Sequence, residues 1–172
     1  MPEIKNSVKH KHTIGARGKW YSPLTNCIYL YQSSYEREMM KVLDDNKVKW
    51  IKNTKRFPYY LEGKKHNYIP DFYLPDYDMY LEVKGFLRKS DPIKLEEFSK
   101  TNTICLIEST DLIKLGCKVF NPEIKESEVD VTRWPLNVLH RNNEWTERGQ
   151  LSEDLSKKVS SKKFFDILKE RD

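Results

Sequence analysis

No stretch of the 172-residue chain approaches the roughly 18 consecutive apolar residues that a membrane span requires. Met1 to Lys19 is polar and basic and lacks the apolar run of a secretory signal, so export by that route is not expected. Cysteine is scarce. Cys27, Cys105 and Cys117 are an odd number without metal-type spacing, which argues against both a disulfide framework and a zinc module. Internal repeats are absent as well, which removes solenoids and propellers. The expectation is a soluble, reduced, intracellular protein of one compact domain, or of one domain with an appendage.

Charge is abundant, at 33% of residues, and its net value of +5 is unevenly placed. Lys5, Lys9, Lys11, Arg17 and Lys19 stand against Glu3 alone in the N-terminal segment, beside His10 and His12. Such a head can lie against phosphates and release counterions, or it can be a solvated tail; composition does not separate the two. From Asn121 to Asp172 acids and bases nearly balance.

Periodicity supplies the elements. Ile28 to Tyr31 reads as a short strand. Ser33 or Ser34 then caps a helix in which Tyr35, Met39, Val42 and Leu43 share a face, ending near Asp45-Asn46. Val48 to Ile51 is extended. Arg56 to Leu61 and His66 to Leu74 read as the two strands of a hairpin around Glu62-Gly63-Lys64. The turn Pro75 to Asp78 leads into a strand from Met79 to Lys84, closed by Gly85. Ser90-Asp91-Pro92 opens a helix to Lys100, with Ile93, Leu95 and Phe98 as candidates for its buried side. Thr103 to Ile107 has the apolar continuity of a strand buried on both faces, and a brief helix from Asp111 to Leu115 stops at Gly116.

This order predicts an α/β fold whose central mixed sheet of about four to five strands is flanked by helices. The expected organisation is a basic segment over 1–19, a core over 20–120 and a partly helical extension over 121–172. In the extension, Leu151, Leu155 and Val159, then Phe164, Phe165, Ile167 and Leu168, mark two short helices around Ser160-Ser161. Packing against the core is the commoner use of such a pair, and a helix-turn-helix reader of DNA is the alternative.

The chemistry lies in Tyr68-Ile69-Pro70-Asp71-Phe72-Tyr73-Leu74 and Tyr80-Leu81-Glu82-Val83-Lys84. Strand periodicity puts Glu82 and Lys84 on one face, and pairing across the Pro75 to Asp78 turn would bring Asp71 beside them. Two carboxylates and the backbone carbonyl of Val83 make a hard, oxygen-rich donor set suited to Mg²⁺. An ammonium beside them can orient or help deprotonate a water, or stabilise transition-state charge on a phosphoryl group. The plain alternative is an antiparallel pair with exposed charges. Against it, an aspartate directly after proline within an aromatic strand is disfavoured on propensity alone.

Pro70-Asp71 and Glu82-Val83-Lys84 resemble the motif of the PD-(D/E)xK nuclease superfamily, and Glu36 takes the place of the glutamate on a preceding helix. The wider pattern over about Lys19 to Phe120 is similar to small phage-encoded endonucleases of the homing and head-completion types, and more distantly to the Tn7-type transposition endonuclease. The resemblance implies a restriction-endonuclease-like core that hydrolyses DNA phosphodiesters with Mg²⁺, or Mn²⁺ in its place. Asp71, Glu82 and the Val83 carbonyl would bind the metal, Glu36 would add an acidic donor directly or through water, and Lys84 would handle the nucleophilic water. Glu38 competes with Glu36, but the two lie about 200° apart round a helix, so only one faces the sheet. Expected DNA contacts are Lys9, Lys11, Arg17, Lys19, Arg56, Lys64, Lys65, Arg88 and Lys89. DNA is the expected partner, within a homodimer or a larger phage or transposition complex in the cytoplasm of a bacterial or phage-infected cell. The competing expectation is a non-catalytic or partner-dependent DNA-binding or assembly subunit built on the same fold.

Overall fold

The computed structural model describes residues 17–119 and 149–171. Lys9, Lys11 and the stretch 120–148 lie outside the described residues.

Strand β1 (Gly18–Ser22) pairs antiparallel with β2 (Cys27–Tyr31) as a separate two-stranded sheet. The sequence reading anticipated only the second of these strands. Lys19 and the basic residues before it disguise the first, and the expected boundary between residues 19 and 20 falls inside β1. Helix α1 (Ser34–Asp45) follows, with the Ser33 hydroxyl accepting the Glu36 N–H as an N-cap. Asp44, on its last turn, ties the elements together. Its carboxylate accepts the Trp20 indole N–H at 2.8 Å, the Ser22 hydroxyl at 2.7 Å and the Trp50 indole N–H at 2.8 Å.

The central sheet has four strands in the order β3 (Ile51–Lys52), β6 (Phe72–Leu74), β7 (Met79–Lys84) and β8 (Ile104–Glu108). The first two junctions are antiparallel and the last is parallel. Between β3 and β6 the chain forms the hairpin of β4 (Phe57–Leu61) and β5 (Lys64–Tyr68), a second two-stranded sheet. The single strand expected over His66 to Leu74 is thus broken. Pro70 has no N–H to continue a ladder. Asn53 takes up the freed carbonyls instead, donating its side-chain amide to Pro70 O at 2.9 Å and its backbone N–H to Asp71 O at 3.1 Å. This break turns the chain from the hairpin into the main sheet with Asp71 at the joint.

Alternation along β7 and β8 sorts two cores. Met79, Leu81 and Val83 with Cys105 and Ile107 face α1, packing on Tyr35, Met39, Met40 and Leu43. Ile104 and Leu106 face the other way, toward the hairpin and Leu95 and Phe98 of α2 (Asp91–Ser99). Each such fully buried apolar side chain contributes about 1.5–3 kcal/mol relative to exposure. After β8 come α3 (Ser109–Lys114), then α4 (Glu153–Lys158) and α5 (Lys162–Glu170).

The helix pair at the C-terminus is part of the core rather than an appendage. Leu155 and Val159 join the α2-side cluster, whereas Phe164, Ile167 and Leu168 join the α1-side cluster. The junction between α4 and α5 therefore crosses the edge of β8, where Leu106 donates its N–H to Val159 O at 2.7 Å. An otherwise open sheet edge is covered. No helix among the described residues is long and apolar enough to cross a membrane.

Candidate active site

The site forms where β6 and β7 part. Their last ladder pair is Phe72 with Leu81, so Asp71 stands one step beyond it, level with Glu82. In place of a further ladder bond, Asp71 Oδ2 accepts the Val83 N–H at 2.8 Å. That bond fixes the carboxylate against β7. Burial, with the charges of Glu82 and Glu36 next in weight, pushes Asp71 well above the usual carboxylate range, against the pull of the Val83 N–H and Lys52.

Glu82 faces the α2 side and is 5% exposed. Its Oε2 accepts the Tyr68 hydroxyl at 2.7 Å and its Oε1 lies 3.4 Å from Lys84 Nζ. Burial raises its pKa, and Lys84 and the Tyr68 hydroxyl counter that rise. Lys84, two residues on, does face the same way, as the period-two reading expects. Burial disfavours its charge, but Glu82, Asp91 and Asp71 together outweigh burial and lift its pKa above the ordinary lysine value. Asp71, Glu82 and Lys84 thus share one corner.

Glu36 reaches the same corner from α1. Its Oε2 accepts Lys52 Nζ at 2.7 Å and the Gln32 N–H at 3.3 Å. Glu38 turns aside to pair with Arg37 at 3.2 Å. Of the two glutamates, Glu36 is the one whose charge is felt at Asp71. Gly85 permits the close fit of α1 at the end of β7, because a Cβ there would stand 2.3 Å from the Tyr35 ring.

Four residues of this neighbourhood escaped sequence reasoning. Tyr68 lies in the motif stretch with no local sign of its bond to Glu82, and Lys52 falls one residue past the extended run expected over Val48 to Ile51. Asp91 read as part of a helix start, yet the residue is 1% exposed and its carboxylate lies 3.5 Å from both Lys84 Nζ and Lys94 Nζ. Lys94 carried no signal beyond its place on a helix. An aspartate before proline is the only local hint, and it does not distinguish a cap from a buried ion pair.

The expected DNA contacts are scattered more widely. Arg17, Lys19, Arg56, Lys64, Lys65, Arg88 and Lys89 are all exposed. Lys64 and Lys65 begin β5 beside the Glu62-Gly63 turn, and Arg88 and Lys89 lie in the loop between β7 and α2. Of these, Arg88 is the one whose charge is felt at Lys84. His66 stacks on Tyr59 with ring centroids 5.4 Å apart and takes no part in the carboxylate corner.

Among the described residues, no three Asp, Glu, His or Cys side chains gather into a preformed metal group. The corner instead offers the carboxylate pair of Asp71 and Glu82 and a third acid, Glu36, held by Lys52. Comparison of the chain with protein-family models, with curated proteins and with solved structures returned no match.

Proposed function

We propose that this chain is a metal-dependent endonuclease that hydrolyses DNA phosphodiester bonds. The observation that carries the reading is the corner itself. Asp71 and Glu82 come from adjacent strands, burial pushes both upward, and one ammonium faces them. The layout of the fold supports it. The two motif strands lie at the centre of a mixed sheet, with α1 on one face and α2 on the other. A restriction-endonuclease-like core requires such an arrangement.

The donor set fits a hard divalent cation. Two partly or fully buried carboxylates crowd their charges together, and a cation bound between them would relieve the repulsion that raises Asp71. Asp71, Glu82 and the Val83 carbonyl would hold Mg²⁺ or Mn²⁺, with Glu36 as a further acidic donor. When bound, the ion supplies Lewis-acid activation of a water and neutralisation of charge on the phosphate.

The chain's own groups divide the remaining work. The Val83 N–H anchors one oxygen of Asp71, which sets the orientation of the other. The Tyr68 hydroxyl does the same for Glu82, leaving Oε1 on the side of Lys84. In the metal-free protein Glu82, Asp91 and Asp71 raise the Lys84 pKa, and in this reading the side chain orients the nucleophilic water or stabilises charge gathering on the phosphoryl oxygens. Lys52 restrains Glu36 at the rim of the site. In this reading Arg88 and Lys89, both exposed in the loop between β7 and α2, would meet the DNA backbone.

The test is cleavage of supercoiled plasmid, linear duplex and a four-way junction side by side with Mg²⁺, with Lys84→Ala as control. Cutting of at least one form that the variant has lost supports the reading. Equal activity of the two proteins defeats it.

A further inference from the structure

We infer that Asp91 is a positioning residue that pins the Lys84 ammonium in place from the opposite side to Glu82. The inference rests on the nuclease reading for the role of Lys84, but its geometric content stands apart from that role. Asp91 opens α2 directly before Pro92, where an aspartate would ordinarily be exposed and satisfy free helical N–H groups. Here it is 1% exposed. Its Oδ2 accepts the Arg88 N–H at 2.6 Å, and the Asp91 N–H returns a bond to Arg88 O at 3.1 Å, which closes the loop between β7 and α2.

Loop closure uses only one carboxylate oxygen. The other, Oδ1, is buried and accepts no hydrogen bond, and it points at two ammonium groups, Lys84 Nζ and Lys94 Nζ, each 3.5 Å away. A buried anionic oxygen is costly to leave without partners, so a purely structural turn would be served as well by a neutral side chain. The charge has a use in relation to Lys84. That side chain ends β7 on a flexible four-carbon stem and is 26% exposed. With Glu82 as its only anchor, 3.4 Å away on the same strand, the ammonium would be free to swing toward solvent. A second carboxylate from α2 confines it between two elements. Sub-ångström placement of this kind governs rate more than affinity.

Asp91→Asn is the discriminating change, because an amide oxygen still accepts the Arg88 N–H while the charge is gone. Single-turnover cleavage with Mg²⁺, DNA affinity, and the ¹H–¹⁵N signal of the Lys84 ammonium (assigned by its loss in Lys84→Met) are measured on the full chain. The expected result is a cleavage rate lower by about tenfold or more, a Kd within about twofold of wild type, and loss or broadening of the Lys84 signal. Lys94→Met, which removes the competing cation, is expected to keep both the rate and the signal. A folded Asp91→Asn protein with the rate or the Lys84 signal of wild type overturns the inference while leaving the nuclease reading intact. A wild-type protein that cuts no DNA overturns the nuclease reading instead, and the Lys84 signal alone then decides whether Asp91 holds it.

Discussion

Asp71→Asn should make the metal-free protein more stable, and the gain should depend on pH. The substitution removes one negative charge from a corner that already holds Glu82 and Glu36, and its amide oxygen can still accept the Val83 N–H. In the wild type the folded-state pKa of Asp71 is raised above its unfolded value, mainly by burial and then by those two charges. A carboxyl shifted in this direction contributes stability that is fully present below its unfolded value of about 3.9 and is lost as pH rises through the folded-state value. As pH rises from about 4 toward 8 the wild type therefore loses stability that the amide variant keeps. The gain should be worth roughly 0.5–2 kcal/mol at pH 8, the scale of single stabilising substitutions where function has kept a strained site. For a domain of this size each kcal/mol moves the melting point by roughly 2–4 °C. Thermal unfolding in EDTA at pH 4.5 and pH 8, followed by circular dichroism, reads both effects. Mg²⁺ should then raise the wild-type Tm at pH 8 and leave that of Asp71→Asn nearly unmoved. A variant less stable than wild type at pH 8, or a difference that ignores pH, would refute the reasoning.

Three other expectations are simpler to state. Tyr68→Phe removes the buried donor to Glu82 Oε2, and urea unfolding should show a loss of about 1–3 kcal/mol; an unchanged midpoint would contradict the role given to that hydroxyl. Asp44→Ala leaves two indole N–H groups and the Ser22 hydroxyl without their shared acceptor, and should cost about 2–5 kcal/mol in the same assay, with a loss below about 1 kcal/mol counting against the anchor. Deleting residues 1–16, a cut that spares β1, should flatten the dependence of log Kd on log salt by about 0.9 per lost phosphate contact on duplex DNA, whereas an unaltered slope would mean the basic head makes no such contact.

The motif was legible in the sequence because its information is local. Strand alternation alone places Glu82 and Lys84 on one face, whereas the expected single strand over His66 to Leu74 misses the break at Pro70. The hydrophobic patterns were equally direct, since α1 and the C-terminal helices each bury one face and β8 is apolar on both. What escaped depends on contacts between distant segments. Tyr68 meets Glu82 only because the hairpin folds over the α2 side of the sheet, and Asp91 meets Lys84 only because the intervening loop closes on Arg88. Strand β1 was hidden for a different reason. Its alternation of Lys19 with Trp20 and Tyr21 is short, and the flanking bases gave the whole stretch the composition of a tail. The two-sided packing of α4 and α5 across β8 could not be read at all, because helical periodicity says which face is buried but not against what.

The most direct measurement is the nicking of supercoiled plasmid by the purified chain in Mg²⁺, compared with Asp71→Asn and Glu82→Gln proteins shown by melting to be folded. The account predicts relaxed or linear product from the wild type, none in EDTA, and a loss of at least about 10²-fold in either variant. Product that forms in EDTA, or that both variants form at the wild-type rate, would contradict it.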